Sequence, residues 1–192
     1  MFTIKDEFEE TLEVKKSKFI AHLIPYKDFE NKLQQLKQSH PKARHFVTAY
    51  RYINEYEQII EASSDDGEPK GTSGKPSLMV LQGHDLVNVA VIVVRYFGGI
   101  KLGTGGLVRA YGDAVNLVIE NADLFPYEKM ETITIEFDYT DVRHVDYELN
   151  KLDIDILSKE FLSKVIYTIS APKEKMQLVH SFLDSISHIP HR

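Results

Sequence analysis

Residues 86–115, LVNVAVIVVRYFGGIKLGTGGLVRAYGDAV, decide how the chain is built. The run at 86–94 is apolar except for Asn88 and rich in β-branched residues, which predicts a strand buried on both faces. Gly98, Gly99, Gly103, Gly105 and Gly106 then interrupt it. Residues 105–121 place Leu107, Tyr111, Ala114, Val115 and Val118 on one side of a predicted helix, with Thr104 as its expected N-cap. The stretch is therefore a strand, a glycine corner and a helix. It is also locally positive: residues 86–112 contain no Asp or Glu but hold Arg95, Lys101 and Arg109.

Two readings of the corner stay open. A glycine-rich turn opening a helix exposes backbone N–H groups and the positive end of the helix dipole, which suits a phosphate. The residues do not match G-x-x-x-x-G-K-[ST] or G-x-G-x-x-G, so neither known phosphate loop is present. In the packing reading, Gly98 and Gly99 turn with φ > 0 while Gly103, Gly105 and Gly106 let the helix start lie close to the sheet. Arg109 shares a helix face with Asp113, Asn116 and Glu120 and reads as a solvated surface residue. Arg95 ends a buried strand, where its stem packs and its guanidinium takes a bidentate partner. That partner is either a ligand or a carboxylate among Asp65, Asp66 and Glu68.

Those carboxylates belong to residues 63–76, SSDDGEPKGTSGKP, a long aperiodic loop of the kind that carries function. Asp65 and Asp66 could hold a hydrated Mg²⁺ against a phosphate, or bond nearby backbone N–H groups as an Asx-type turn. A short helix is expected from Pro76. Upstream, residues 11–26 read as a strand or bent pair, and Phe29, Leu33 and Leu36 as a helix ending near Pro41. Residues 45–53 and 56–63 read as strands joined by a two-residue turn at Asn54 and Glu55. Downstream, strand, helix, strand, strand and helix succeed one another. The first helix is capped by Asp141, and the second carries Met176, Val179, Phe182, Leu183 and Ile186 on one face. This is a split βαβ order for whose last strand only residues 188–192 remain.

Composition narrows the classes. With 43% hydrophobic residues the chain can bury a core, and with no cysteine it has no disulfide framework, thiolate metal site or cysteine nucleophile. The acidic opening MFTIKDEFEE lacks a secretory pattern, so a cytoplasmic protein is expected, and no apolar run reaches membrane-spanning length. Net charge is −6; residues 1–125 carry 15 Lys and Arg against 17 Asp and Glu, and residues 126–192 carry 8 against 12. Neither half is a basic nucleic-acid module, so any phosphate contact must be local. The histidines are scattered, with no zinc-ligand spacing and no G-x-S-x-G, so neither a metal, a cofactor nor hydrolase chemistry is expected.

DDGEPKGTSGKP at 65–76, followed by VVRYFGGIKLGTGGLVRAYGDA at 93–114, resembles the signature of the YigZ/IMPACT family, with the two motifs in that order and spacing. The resemblance implies an α+β protein. An N-terminal ribosomal-protein domain-2-like α/β domain, similar to domain IV of elongation factor G, would occupy residues 1–125. A linker would follow at 126–131, and a ferredoxin-like C-terminal α/β domain at 132–192. It supplies no catalytic residues. The motif positions it marks as binding candidates are Asp65, Asp66, Gly67, Glu68, Gly71, Gly74 and Lys75, and Arg95, Tyr96, Phe97, Gly98, Gly99, Lys101, Gly103, Gly105 and Gly106. Eukaryotic relatives are linked to control of translation.

The expected function is thus a non-enzymatic, translation-associated binding protein that contacts RNA, the ribosome or a protein partner through Arg95, Tyr96, Phe97 and Lys101. Aromatics beside cations suit base stacking as well as protein contact. The alternative is an enzyme or sensor that binds a phosphate or nucleotide between the two glycine loops.

Overall fold

A computed structural model describes residues 1–186 of the chain, and its contacts divide into two units, Met1–Tyr127 and Glu128–Arg192. The architecture is α+β. The first unit contains strands β1 (Phe2–Thr3), β2 (Phe8–Val14) and β3 (Ser17–Pro25), then helix α1 (Phe29–Ser39) and strands β4 (His45–Ile53) and β5 (Ile59–Ser64). Helix α2 (Gly74–Gly83), strand β6 (Val89–Tyr96), helix α3 (Gly103–Glu120) and strand β7 (Phe125–Pro126) complete it. Strands β2-β3-β6-β4-β5 form one antiparallel sheet in that order, and β1 pairs with β7.

β6 lies at the centre, and its alternation feeds two cores. Val89, Val91 and Val93 face Leu81 of α2 and Leu107, Tyr111 and Val115 of α3. Ala90, Ile92 and Val94 face Phe29 and Leu36 of α1 on the other side. Successive strand side chains point to opposite faces, so a sheet covered on both faces demands the unbroken apolar run seen in the sequence. Each fully buried Val or Ile contributes about 1.5–3 kcal/mol, which makes β6 the stiff element from which the glycine corner departs.

The strands upstream resolve into hairpins. Residues 11–25 belong to the pair β2–β3, closed by Lys15 (φ 46°) and Lys16 (φ 67°) between the paired residues Val14 and Ser17, and Tyr26 begins a 3-10 turn. Two central residues at positive φ match the strand twist. The turn from β4 to β5 is longer than the two residues expected. The Asn54 side chain accepts hydrogen bonds from the Tyr56 and Gln58 amides (2.9 and 2.8 Å), with Glu57 at φ 62°, so pairing resumes only at Ile59. Without a glycine, Asn54 and Glu55 do not make the tighter turn.

The second unit contains β8 (Met130–Phe137), α4 (Val142–Lys151), β9 (Asp155–Phe161), β10 (Val165–Pro172) and α5 (Lys173–Ser185). Its described strands form an antiparallel sheet in the order β8-β10-β9, with Ile135, Phe137, Tyr167 and Ile169 packed against Val145, Leu149, Met176, Val179 and Leu183. Asp141 occupies the N-cap position of α4 without a side-chain capping bond. Of the residues expected to link the units, Pro126 lies in β7 and Met130 and Glu131 lie in β8. The expectation for a last strand at 188–192 falls outside the described residues.

Candidate functional site

The corner after β6 takes its shape from three glycines with different duties. Gly98 passes so close to the β2–β3 turn that a Cβ there would lie 2.0 Å from the Lys16 carbonyl carbon, and its amide donates to Ser17 Oγ (3.1 Å). Gly99 turns the chain at φ 85°, and Gly103 at φ 73° starts α3. Because Leu102 already has helical dihedrals at the N-cap, Thr104 falls inside the first turn instead of capping it. Among the described residues no side chain caps this helix. Gly105 is exposed, with nothing within 4 Å of where its Cβ would be, so the helix start does not press on the sheet at that position.

Arg95 is buried, its guanidinium carbon 5.4 Å from the Phe19 ring centre and 5.8 Å from that of Phe97. Its Nη1 donates to Glu68 Oε1, which also accepts the Tyr111 hydroxyl at 2.9 Å. The internal partner considered for Arg95 is therefore Glu68. Both side chains are over nine-tenths buried (7% and 4% exposed), so each charge depends on the other. Desolvation, then the Glu68 charge, pushes the Tyr111 phenol far above its ordinary value and keeps it a donor. His45 donates from Nδ1 to the Asp66 carbonyl (2.8 Å), which leaves Nε2 3.9 Å from Glu68 Oε1. Among the described residues the Arg95 Nε–H has no partner.

The other loop carboxylates hold backbone. Asp65 accepts hydrogen bonds from the amides of Gly71 (2.7 Å), Ser73 (3.1 Å) and Gly74 (2.8 Å) and from the Ser73 hydroxyl (2.7 Å). It caps α2 across the loop, which explains why the helix begins at Gly74, two residues before Pro76. Burial raises the Asp65 pKa, but these donors outweigh it and hold the carboxyl below its ordinary range. Asp66, at φ 44°, accepts from the Phe46 amide at 2.6 Å. The carboxylates do bond backbone amides, but Asp65 reaches six to nine residues along the loop and Asp66 reaches β4, so neither forms a local Asx-type turn; the Mg²⁺ reading finds both Asp65 oxygens occupied by donors. Among the described residues no group of three or more His, Asp or Glu could hold a metal ion.

These elements enclose a cleft of about 440 Å³. Of the binding candidates read from sequence, Glu68, Arg95, Phe97, Lys101 and Gly103 line it. Lys75 is exposed on α2 and, like Gly67, Gly71, Gly74, Gly98, Gly99, Gly105 and Gly106, is not part of the lining. Tyr96 does not join Arg95 and Phe97 on one surface. One residue along β6, it points to the opposite face, where its hydroxyl meets His40 Nδ1 at 2.8 Å and its ring packs with the α1 core. Two charge-bearing lining residues escaped the sequence reading, Arg44 and His45. They stand beside Arg95 because β4 pairs with β6 in the register His45 to Arg95, a pairing across 50 residues that local pattern does not encode.

The Impact N-terminal domain matches residues 15–119, a span that contains every residue lining the cleft. The chain is 36% identical to an IMPACT family member of Haemophilus influenzae over 92% of this chain and 86% of that protein. It is 33% identical to the IMPACT family member YigZ of Escherichia coli over 85% of this chain and 82% of that one. Among solved structures, a protein described as hypothetical superposes with a TM-score of 0.71 at 29% identity, covering 99% of this chain and 95% of the other.

Proposed function

Because the chain belongs to the IMPACT family, we propose that it is a translation-associated regulatory protein that works by binding, through the cleft at the end of β6. The observation carrying this reading is the character of the rim. Phe97 (43% exposed), Lys101 and Arg44 face solvent around one concavity in a chain of net charge −6. Cations beside an exposed ring suit a ribosomal or RNA surface. The link to translation comes from the resemblance to eukaryotic relatives; the place of contact comes from the rim.

The wall behind supports holding rather than turnover. Glu68 is taken by Arg95 and Tyr111, and His45 Nδ1 by the Asp66 carbonyl, so these side chains fix one another. Co-sedimentation with ribosomes over a range of potassium concentrations tests the reading. Wild-type protein is expected to bind in a salt-dependent manner, and Phe97→Ala with Lys101→Ala to lose binding while staying folded. Undiminished binding by that variant removes the cleft from the account.

A further inference from the structure

We infer that the cleft is a nucleotide subsite, taking one phosphate between Lys101, Arg44 and the start of α3, with the attached base against Phe97. The inference rests on the cleft being the protein's binding site and adds the chemistry of what enters it. At about 440 Å³ the space is of the size that holds small ligands. Its charge is unbalanced. Among the described residues Glu68 is the only acidic one lining it, and Arg95 already answers that charge from the same wall. Arg44 and Lys101 remain, and among the described residues neither forms an ion pair. Two unneutralised cations on one cleft of an acidic protein call for an anion.

Two further observations point the same way. Arg95 is 6% exposed and lines the cleft, and among the described residues its Nε–H is without a partner, a buried donor left unpaired at a cost in free energy. The start of α3 also borders the cleft, at Gly103 and Thr104. It is uncapped, it contains three glycines in its first four residues, and Gly105 has open space where a side chain would stand. Glycine inside a helix costs roughly 0.5–1 kcal/mol relative to alanine. Where Gly103 and Thr104 border the cleft, the first-turn amides of α3 are placed to meet an oxyanion. Phe97 supplies the aromatic platform on the same rim. A nucleotide satisfies cations, amides and ring together. It can arrive free or as part of a single-stranded RNA; the two share this chemistry.

The experiment is titration of the full chain, by calorimetry, with inorganic phosphate, a free mononucleotide and a short single-stranded RNA in parallel. All three are expected to bind the wild type. Arg44→Gln with Lys101→Gln should weaken each at least tenfold, and should lower the slope of log affinity against log salt for the RNA by about 0.7 per cation removed. Phe97→Leu should weaken the nucleotide and the RNA but not inorganic phosphate, a split that a merely structural role would not produce. Tighter binding of RNA than of mononucleotide assigns the strand as the source, and equal binding assigns the free nucleotide. Lys75→Gln, outside the cleft, serves as the control and should change nothing. If no probe binds while ribosomes still do, the subsite is overturned and the ribosomal reading stands. If the probes bind, are lost in the double variant, and ribosomes do not bind, the subsite stands and that reading falls. Probe binding unaffected by Arg44→Gln with Lys101→Gln overturns the inference directly.

Discussion

At the scale of single residues, Glu68 matters most, because it holds a buried guanidinium and a buried phenol with one oxygen. Glu68→Gln leaves Arg95 charged and uncompensated, and a broken buried pair costs about 3–5 kcal/mol. Urea unfolding should show that loss as a lower midpoint at unchanged slope. Replacing both partners, Glu68→Leu with Arg95→Met, should recover most of it, because no charge is then stranded. His22 carries a pH prediction. It is 2% exposed, its Nε2 has no partner among the described residues, and its Nδ1 faces Glu7 (3.4 Å) and Glu9 (3.5 Å). Burial lowers its pKa more than the Glu9 charge raises it. The unfolded chain thus gains a proton below about pH 6.5 that the folded protein resists, so this stability is full above that pH and declines as pH falls toward the folded value. His22→Leu should flatten the stability profile just below about pH 6.5. Asp65 has the same sign at lower pH: its contribution is present above about 3.9 and disappears on further acidification, and Asp65→Asn should remove that limb.

Among the elements, the glycines separate by what stands around them. Gly98→Ala would place a Cβ 2.0 Å from the Lys16 backbone, and the protein is expected to fail to fold or to lose the β2–β3 contact. Gly105→Ala meets nothing and should stabilise by about 0.5–1 kcal/mol in thermal unfolding. The sequence pattern of GGIKLGTGG treats these positions alike; only the neighbouring backbone tells them apart. β6 and α3 were legible because their periods are local: β6 is buried on both faces and α3 along one. Tyr96 was misplaced on one surface with Arg95 and Phe97, although alternation along β6 turns it to the other face. Arg44 and His45 were not legible, because their place in the cleft follows from the pairing of β4 with β6. The choice of Glu68 over Asp65 as the partner of Arg95 was likewise hidden. It depends on Asp65 turning back to cap α2, a loop geometry that residue types alone leave open.

For the molecule as a whole, each unit has its own core: one set of buried residues lies entirely within 1–127, on both faces of the five-stranded sheet, and the other within 128–186. Residues 1–127 expressed alone are therefore expected to unfold cooperatively in urea with native-like circular dichroism; a broad transition would show that this core needs the remainder of the chain. The same division yields the most direct test of the central claim, that the cleft at the end of β6 is the binding site. Hydrogen exchange of the full chain should be measured with and without ribosomes. Protection is expected in residues 97–107 and in 66–70, where the rim and the Glu68 loop lie. Protection confined to residues 128–186, with the cleft exchanging as in the free protein, would contradict it.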